Sequence, residues 1–244
     1  MKTLTHAQNL IANSLNIVAF TGAGLSAESG ISTFRGSKDS EWSRFDPMRL
    51  ASQQGFSEDP ETVIRWYNDR RRQLSTATPN PAHIALADQG IFTITQNVDN
   101  LLERAGCQPE HIVHLHGEIN ADRCNNSQCD FYEAVTLDKP PPLRRCPQCQ
   151  SSYCRPSVVW FGEPLPQTAW AIAEQKVLTC DCLLVVGTSA TVYPAASLIE
   201  LAANRNARVI VIDPAPKALE DKADILLTGA AASLLPRLLE TKRI

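Results

Sequence analysis

The sequence has no apolar run near the ~18 residues that a membrane-spanning helix requires, so no membrane role is expected. Its first stretch, MKTLTHAQNL, is polar and lacks the apolar centre of a secretory leader. It also lacks an excess of either charge: 23 basic and 26 acidic side chains leave a formal net charge of −3 over 244 residues. That balance offers no electrostatic footprint for nucleic acid or an anionic surface. No internal repeat and no low-complexity tail interrupts the chain. The expectation is a cytoplasmic monomer with neither nucleic acid nor membrane as partner. In a reducing compartment its eight cysteines read as metal ligands or buried thiols, not disulfides.

What is present is an alternation. Short apolar runs, NIVAF (16–20), IFTIT (91–95), CLLVV (182–186) and ARVIVI (207–212), each end in small or polar residues. They are rich in Val and Ile without polar alternation, as buried parallel strands are. Helix-like segments at 5–15, 60–75, 80–89, 97–105, 167–178, 194–204 and 231–241 lie between and around them. The fold class expected is α/β, a Rossmann-type doubly wound parallel sheet. Two stretches break the rhythm. Residues 36–80 read as a helical module, and 119–157, with five cysteines, as a loop-rich module. Both are expected to form a smaller domain inserted into a nucleotide-binding domain of residues 1–35, 81–118 and 158–244.

TGAGLSAESG follows the first predicted strand. Gly22, Gly24 and Ala27 match G-x-G-x-x-G/A, in which glycines allow a tight turn and close approach of backbone to a pyrophosphate. QNVDN and GTS supply amide, carboxylate and hydroxyl groups at other strand ends, and Asp213 ends the last predicted strand, placed to bond a ribose hydroxyl. The acidic residue usual about 20 positions after the glycines is missing; the helical insertion occupies that place.

Cys124 and Cys129 are separated by four residues, sixteen more lead to Cys146, and Cys146 and Cys149 form C-P-x-C. Two pairs at this spacing indicate one tetrahedral zinc. No glutamate or histidine lies inside the set, so the site reads as structural, with Cys154 a competitor for the place of Cys149. Cys107, Cys180 and Cys182 read as spare thiols. In HIVHLHGEIN, His114 and His116 would face one side of a strand, and a histidine there is suited to general-base chemistry.

In ETVIRWYNDRRRQL, Val63, Trp66, Tyr67, Arg70 and Leu74 share one helical stripe. Arg70 is thus expected inward, with Arg71 and Arg72 turned away. A buried arginine needs an anion, structural or bound.

GAGLSAESGISTFRG, TQNVDNLLERAG, HLHGE, the paired cysteines, RPSVVWFGE, VVGTS and VYPAA occur in this order. Together they closely resemble the sirtuin family of NAD-dependent protein deacylases, over about residues 16–236. The resemblance implies a Rossmann-type NAD domain, and a small domain holding one structural zinc. It implies that acylated lysine of a protein or peptide enters between them. The acyl oxygen would attack C1′ of the nicotinamide ribose, nicotinamide would leave, and His116 would act as base on a ribose hydroxyl. Free lysine and O-acyl-ADP-ribose would be released.

Carried over residue by residue, the resemblance assigns catalysis to His116 and Asn97. Gly22, Ala23, Gly24, Ala27 and Glu28 would form the phosphate loop, and Phe34 and Arg35 the cofactor loop. Gln96, Asn97 and Asp99 would line the nicotinamide pocket; Gly187, Thr188, Ser189, Asp213 and Ala231 would contact the rest of NAD. Val159, Phe161 and Gly162 would pair with the substrate backbone, a β-augmentation that reads little sequence. Tyr67 and Arg70, with Ala51, match a Tyr-x-x-Arg acyl pocket, which implies succinyl- or malonyl-lysine beside acetyl-lysine. The rivals are a plain deacetylase, a mono-ADP-ribosyltransferase on the same scaffold and a non-enzymatic NAD sensor.

Overall fold

A computed structural model of the chain describes residues 2–32 and 46–240. Six strands form a wholly parallel sheet: β1 (Ile17–Thr21), β2 (Phe92–Thr95), β3 (Ile112–His114), β7 (Cys182–Val186), β8 (Arg208–Asp213) and β9 (Ile225–Thr228), in the order β3-β2-β1-β7-β8-β9. Period-2 alternation divides its side chains between two cores. Ile17, Ala19, Leu184, Val186, Ile210 and Ile212 pack under α1 (Lys2–Asn13), α5 (Pro81–Asp88) and α9 (Ala231–Leu239). Val18, Phe20, Leu183, Val185, Val209 and Val211 pack under α7 (Gln167–Thr179) and α8 (Ser197–Asn204). Burial on both faces explains why these strands carry unbroken apolar runs. The doubly wound α/β expectation holds.

The chain builds outward from β1 to β3 on one side and from β7 to β9 on the other, so direction switches between β1 and β7. Clefts for ligands open at the carboxyl ends of strands at such a point. Of the strands in this sheet, the four-residue edge strand β9 escaped sequence reading, and the strand considered in HIVHLHGEIN is the short edge strand β3, which ends at His114. The helix expected over 97–105 is shorter, α6 (Leu101–Arg104).

The two insertions pack together. Residues 46–76 form α2 (Pro47–Leu50), α3 (Gln53–Glu58) and α4 (Pro60–Thr76). Each starts where the sequence directs: Asp46, Ser52 and Asp59 accept from the N–H groups of Met48, Gly55 and Thr62, and proline opens α2 and α4. The cysteine-rich stretch forms an antiparallel sheet β5-β4-β6 from β4 (Gly117–Cys124), β5 (Tyr132–Ala134) and β6 (Cys154–Val158). Leu50, Ala51, Phe56, Trp66, Tyr67, Ile119, Val158 and Trp160 share one core between them.

The arginine run differs from its expected orientation. Arg71, expected outward, is 1% exposed and pairs with Asp122 at 2.7 Å. It also donates to the carbonyls of Ile119 (2.7 Å) and Ala121 (3.1 Å) and to Asn68 Oδ1 (3.2 Å). The helix is buried over more than one stripe, since Ile64, Asn68 and Arg71 are covered as well as Val63, Trp66, Tyr67 and Leu74. Arg70 lies at the margin of that face, half-buried, its guanidinium 3.7 Å over the Trp66 ring. Arg72 is exposed, as expected.

Candidate active site

The glycine loop leaves β1 and rests on the turn after β7. A Cβ on Gly24 would stand 2.5 Å from Gly187 Cα, and one on Gly22 2.8 Å from Thr188 Cβ. Gly187 has φ +60°. These glycines therefore fit two backbone turns together at the switch point. Short 3₁₀ turns, Ala23–Leu25 and Ala27–Ser29, follow. Glu28 accepts from Ala232 N at 2.7 Å. It thus satisfies an amide in the first turn of α9, which begins at Ala231.

Four elements converge beside this loop. Ser26 Oγ donates to Asp99 Oδ2 at 2.9 Å and accepts from Asn97 Nδ2 at 3.1 Å. His83 Nδ1 accepts from Asn80 N at 3.2 Å, so its proton sits on Nε2, 3.3 Å from Ser26 Oγ. Burial holds the His83 pKa down to about 4, keeping that tautomer neutral. Burial also raises the Asp99 carboxyl, against lowering bonds from Leu101 N and Ser26. Gln96 Nε2 donates to Thr188 Oγ1 at 2.9 Å, bridging the ends of β2 and β7. Ser189 is exposed and bonded to Thr191 (2.9 Å), and Asp213 Oδ1 accepts from Ala215 N (2.7 Å) at the end of β8. Phe34 and Arg35 lie outside the described residues. Sequence reading missed Ser26 and His83. The available signals were a serine inside GAGLSAESG and a histidine three residues after the helix-capping Asn80.

His114 and His116 do not share a strand, because β3 stops at His114. They are nevertheless held side by side on the 96–97 backbone. His114 Nδ1 faces Asn97 O at 3.0 Å, and its Nε2 faces Glu103 Oε1 at 2.7 Å. Burial alone would lower its pKa, but the bonds to Glu103 and Asn97 outweigh burial and raise it. His116 Nδ1 lies 3.0 Å from Gln96 O. A carbonyl only accepts, so Nδ1 carries the proton and Nε2 keeps a lone pair. Burial lowers the His116 pKa, and the Gln96 carbonyl opposes this in part. The ring is a neutral base near pH 7.

The segment after β6 crosses in front of His116. Val159 N donates to His116 O at 2.8 Å, and Phe161 N to Ala51 O at 2.8 Å, with a parallel bridge between Ser52 and Phe161. Gly162 turns the chain at φ +84°. Tyr67, 3% exposed, meets this segment through Trp160, whose Nε1 lies 2.9 Å from the Tyr67 hydroxyl.

The thiols of Cys124, Cys129, Cys146 and Cys149 lie within 4.8 Å of one another. Cys124–Cys149 and Cys129–Cys146 are 3.6 and 3.8 Å apart. Zn–S bonds of about 2.3 Å in a tetrahedron put sulfurs about 3.8 Å apart. The set thus fits zinc, closed by four sulfurs, which leaves no position for substrate. Asn126 N (3.4 Å) and Ser151 Oγ (3.2 Å) donate to Cys124 and Cys149, the outer bonds that orient thiolate ligands. Cys154, 2% exposed, packs against these thiols but stands outside the four. Among the described residues no helix is long and apolar enough to cross a membrane.

Comparison with known proteins accords with this arrangement. Residues 22–194 match the model of the Sir2 family. NAD-dependent protein deacylase 2 of Pyrobaculum aerophilum is 45% identical, over 95% of this chain and 93% of its own length. The solved complex of a Sir2 homologue with NAD is 42% identical with a TM-score of 0.88, covering 96% of this chain and 92% of that one. Sir2Af2 bound to a myristoylated histone peptide is 31% identical with a TM-score of 0.78, covering 98% and 96%. The glycine loop seated on Gly187, the 96–99 polar set, the paired histidines and the four-thiol cluster lie on a chain that belongs to the Sir2 family.

Proposed function

We propose that the protein is an NAD-dependent protein-lysine deacylase with a preference for acidic acyl groups, succinyl or malonyl, over acetyl. The observation that carries deacylation is His116. Its Nδ1 is spent on Gln96 O at 3.0 Å and its neutral Nε2 is left to take a proton. NAD supplies the ribose that accepts the acyl group. This chain binds it along Gly22–Ala27, Gln96–Asp99 and Gly187–Ser189, and His116 Nε2 withdraws a ribose hydroxyl proton. Asn97, tied through Ser26 to Asp99, holds the nicotinamide side of the pocket. An NAD sensor would not need His116. A mono-ADP-ribosyltransferase would give modified protein in place of O-acyl-ADP-ribose. The domain division proposed is 1–35, 81–118 and 158–244 against 36–80 and 119–157.

The acyl class rests on α4. Tyr67 and Arg70 stand one helical turn apart, and a phenol and a guanidinium at that spacing suit the carboxylate end of an acidic acyl chain. Burial keeps the Tyr67 hydroxyl protonated, its pKa pushed up to about 12. We expect kcat/KM to favour succinyl- over acetyl-lysine in matched peptides. Arg70→Met should lower the succinyl value about 10- to 150-fold, the worth of a charged hydrogen bond, and lower the acetyl value far less. Equal loss on both peptides would make Arg70 structural, and a wild type that prefers acetyl would make the protein a plain deacetylase.

A further inference from the structure

We propose that Trp160 is a specificity-positioning residue. Its indole N–H occupies the acceptor side of the Tyr67 hydroxyl and leaves the phenolic proton for the terminal carboxylate of a bound acyl-lysine. This inference rests on the acidic-acyl reading of the site.

Trp160 Nε1 lies 2.9 Å from Tyr67 Oη, and the two residues are 2% and 3% exposed. An indole nitrogen can only donate, so the direction of this bond is fixed. The phenol has one proton, and Trp160 cannot receive it. Among the described residues the Tyr67 hydroxyl donates to none. A group entering beside Tyr67 therefore meets a donor. A carboxylate can only accept and matches it in every orientation. An amide or alcohol end must turn its oxygen to the phenol. A hydroxyl free to rotate would discriminate less.

The indole is itself held on several sides. Trp160 N donates to Glu163 Oε2 at 2.9 Å. The Arg155 guanidinium lies 3.8 Å from the centre of the indole ring, and Phe56 packs 5.2 Å from it. Arg155, 1% exposed, is fixed by Glu163 and by Val158 O (3.0 Å). Glu163 also takes Gln53 Nε2 at 2.7 Å and Arg123 Nη2 at 3.1 Å. Trp160 thus carries the rigidity of the substrate-side turn into the acyl pocket, while Tyr67 and Arg70 belong to a different module.

The test measures kcat and KM on matched succinyl-, succinamoyl- and acetyl-lysine peptides for wild type, Trp160→Phe, Tyr67→Phe and the double variant. Trp160→Phe is expected to lower the succinyl-to-acetyl ratio of kcat/KM about three- to tenfold, through KM, consistent with one hydrogen bond. The succinamoyl peptide should fall less than the succinyl one. In the Tyr67→Phe background the same change should move the ratio less than twofold, since the hydroxyl it orients is gone. Equal loss on all three peptides, or fully additive losses, overturns the inference and leaves the acyl reading standing. Wild type that does not prefer succinyl removes the acyl reading, and this inference with it, before any variant is made. A ¹H–¹⁵N spectrum of the free enzyme gives a check that needs no catalysis. The Trp160 indole N–H resonance should shift on Tyr67→Phe, and an unmoved resonance overturns the inference.

Discussion

Replacing His116 with alanine is expected to lower kcat on an acyl-lysine peptide by about 10²- to 10⁴-fold, the usual worth of a positioned base. The KM for NAD should stay within a few fold, because the cofactor-side groups are carried by other elements. The wild-type pH profile should report the same group. Only the neutral ring can accept a proton at Nε2, and burial lowers the pKa of His116. Activity should therefore be full above the ordinary histidine value and fall as pH drops through a lower one. A fall that begins above the ordinary value would point instead to His114, whose pKa is raised. An alanine variant keeping a tenth of wild-type kcat would remove His116 from the base role.

Stripping the zinc is expected to be as damaging to stability as His116→Ala is to rate. The three strands β4, β5 and β6 enclose little apolar surface besides the cysteines, Phe131 and the shared core with α4. Structural zinc contributes about 10–16 kcal/mol in small peptides, comparable with or above the whole stability of a typical domain. A net loss of only about 4 kcal/mol would lower Tm by roughly 8–16 °C in a chain of this size. Cys146→Ala, at a fully buried thiol, should do the same as a chelator. Metal content and Tm followed together over a chelator titration decide the point. One zinc lost per chain with Tm unmoved would make the ion dispensable. The damage should spread to α4, because Arg71 would lose its carbonyl and carboxylate partners on β4 and a buried arginine without them is costly.

The central sheet was legible because its strands are buried on both faces, which writes Val- and Ile-rich runs into the sequence. The cysteine spacing was legible because tetrahedral ligation tolerates few loop lengths. The edge strand β9 was not, since four residues give periodicity little to act on. The fate of Arg71 was hidden for another reason: its carboxylate partner lies 51 residues away, and only the packed structure brings Asp122 beneath α4. The glycines of the loop announced a close approach, but the backbone they approach, that of Gly187, lies more than 160 residues later. Ser26 and His83 were readable only as ordinary residues until Asp99 and Asn97 came to meet them.

The bridge between Ser52 and Phe161 has a consequence for chimeras. The Phe161 amide, in the segment after β6, is satisfied by the carbonyl of Ala51, at the end of α2. A transplant that moves residues 46–76 alone into another scaffold exchanges one half of this ladder for a stranger's backbone. It also separates Gln53 from Glu163 and Tyr67 from Trp160. On the acidic-acyl proposal, the smallest heritable unit of acyl choice would be a discontinuous one, residues 46–76 together with 155–163, and exchange of both segments should carry the preference across where exchange of either one fails.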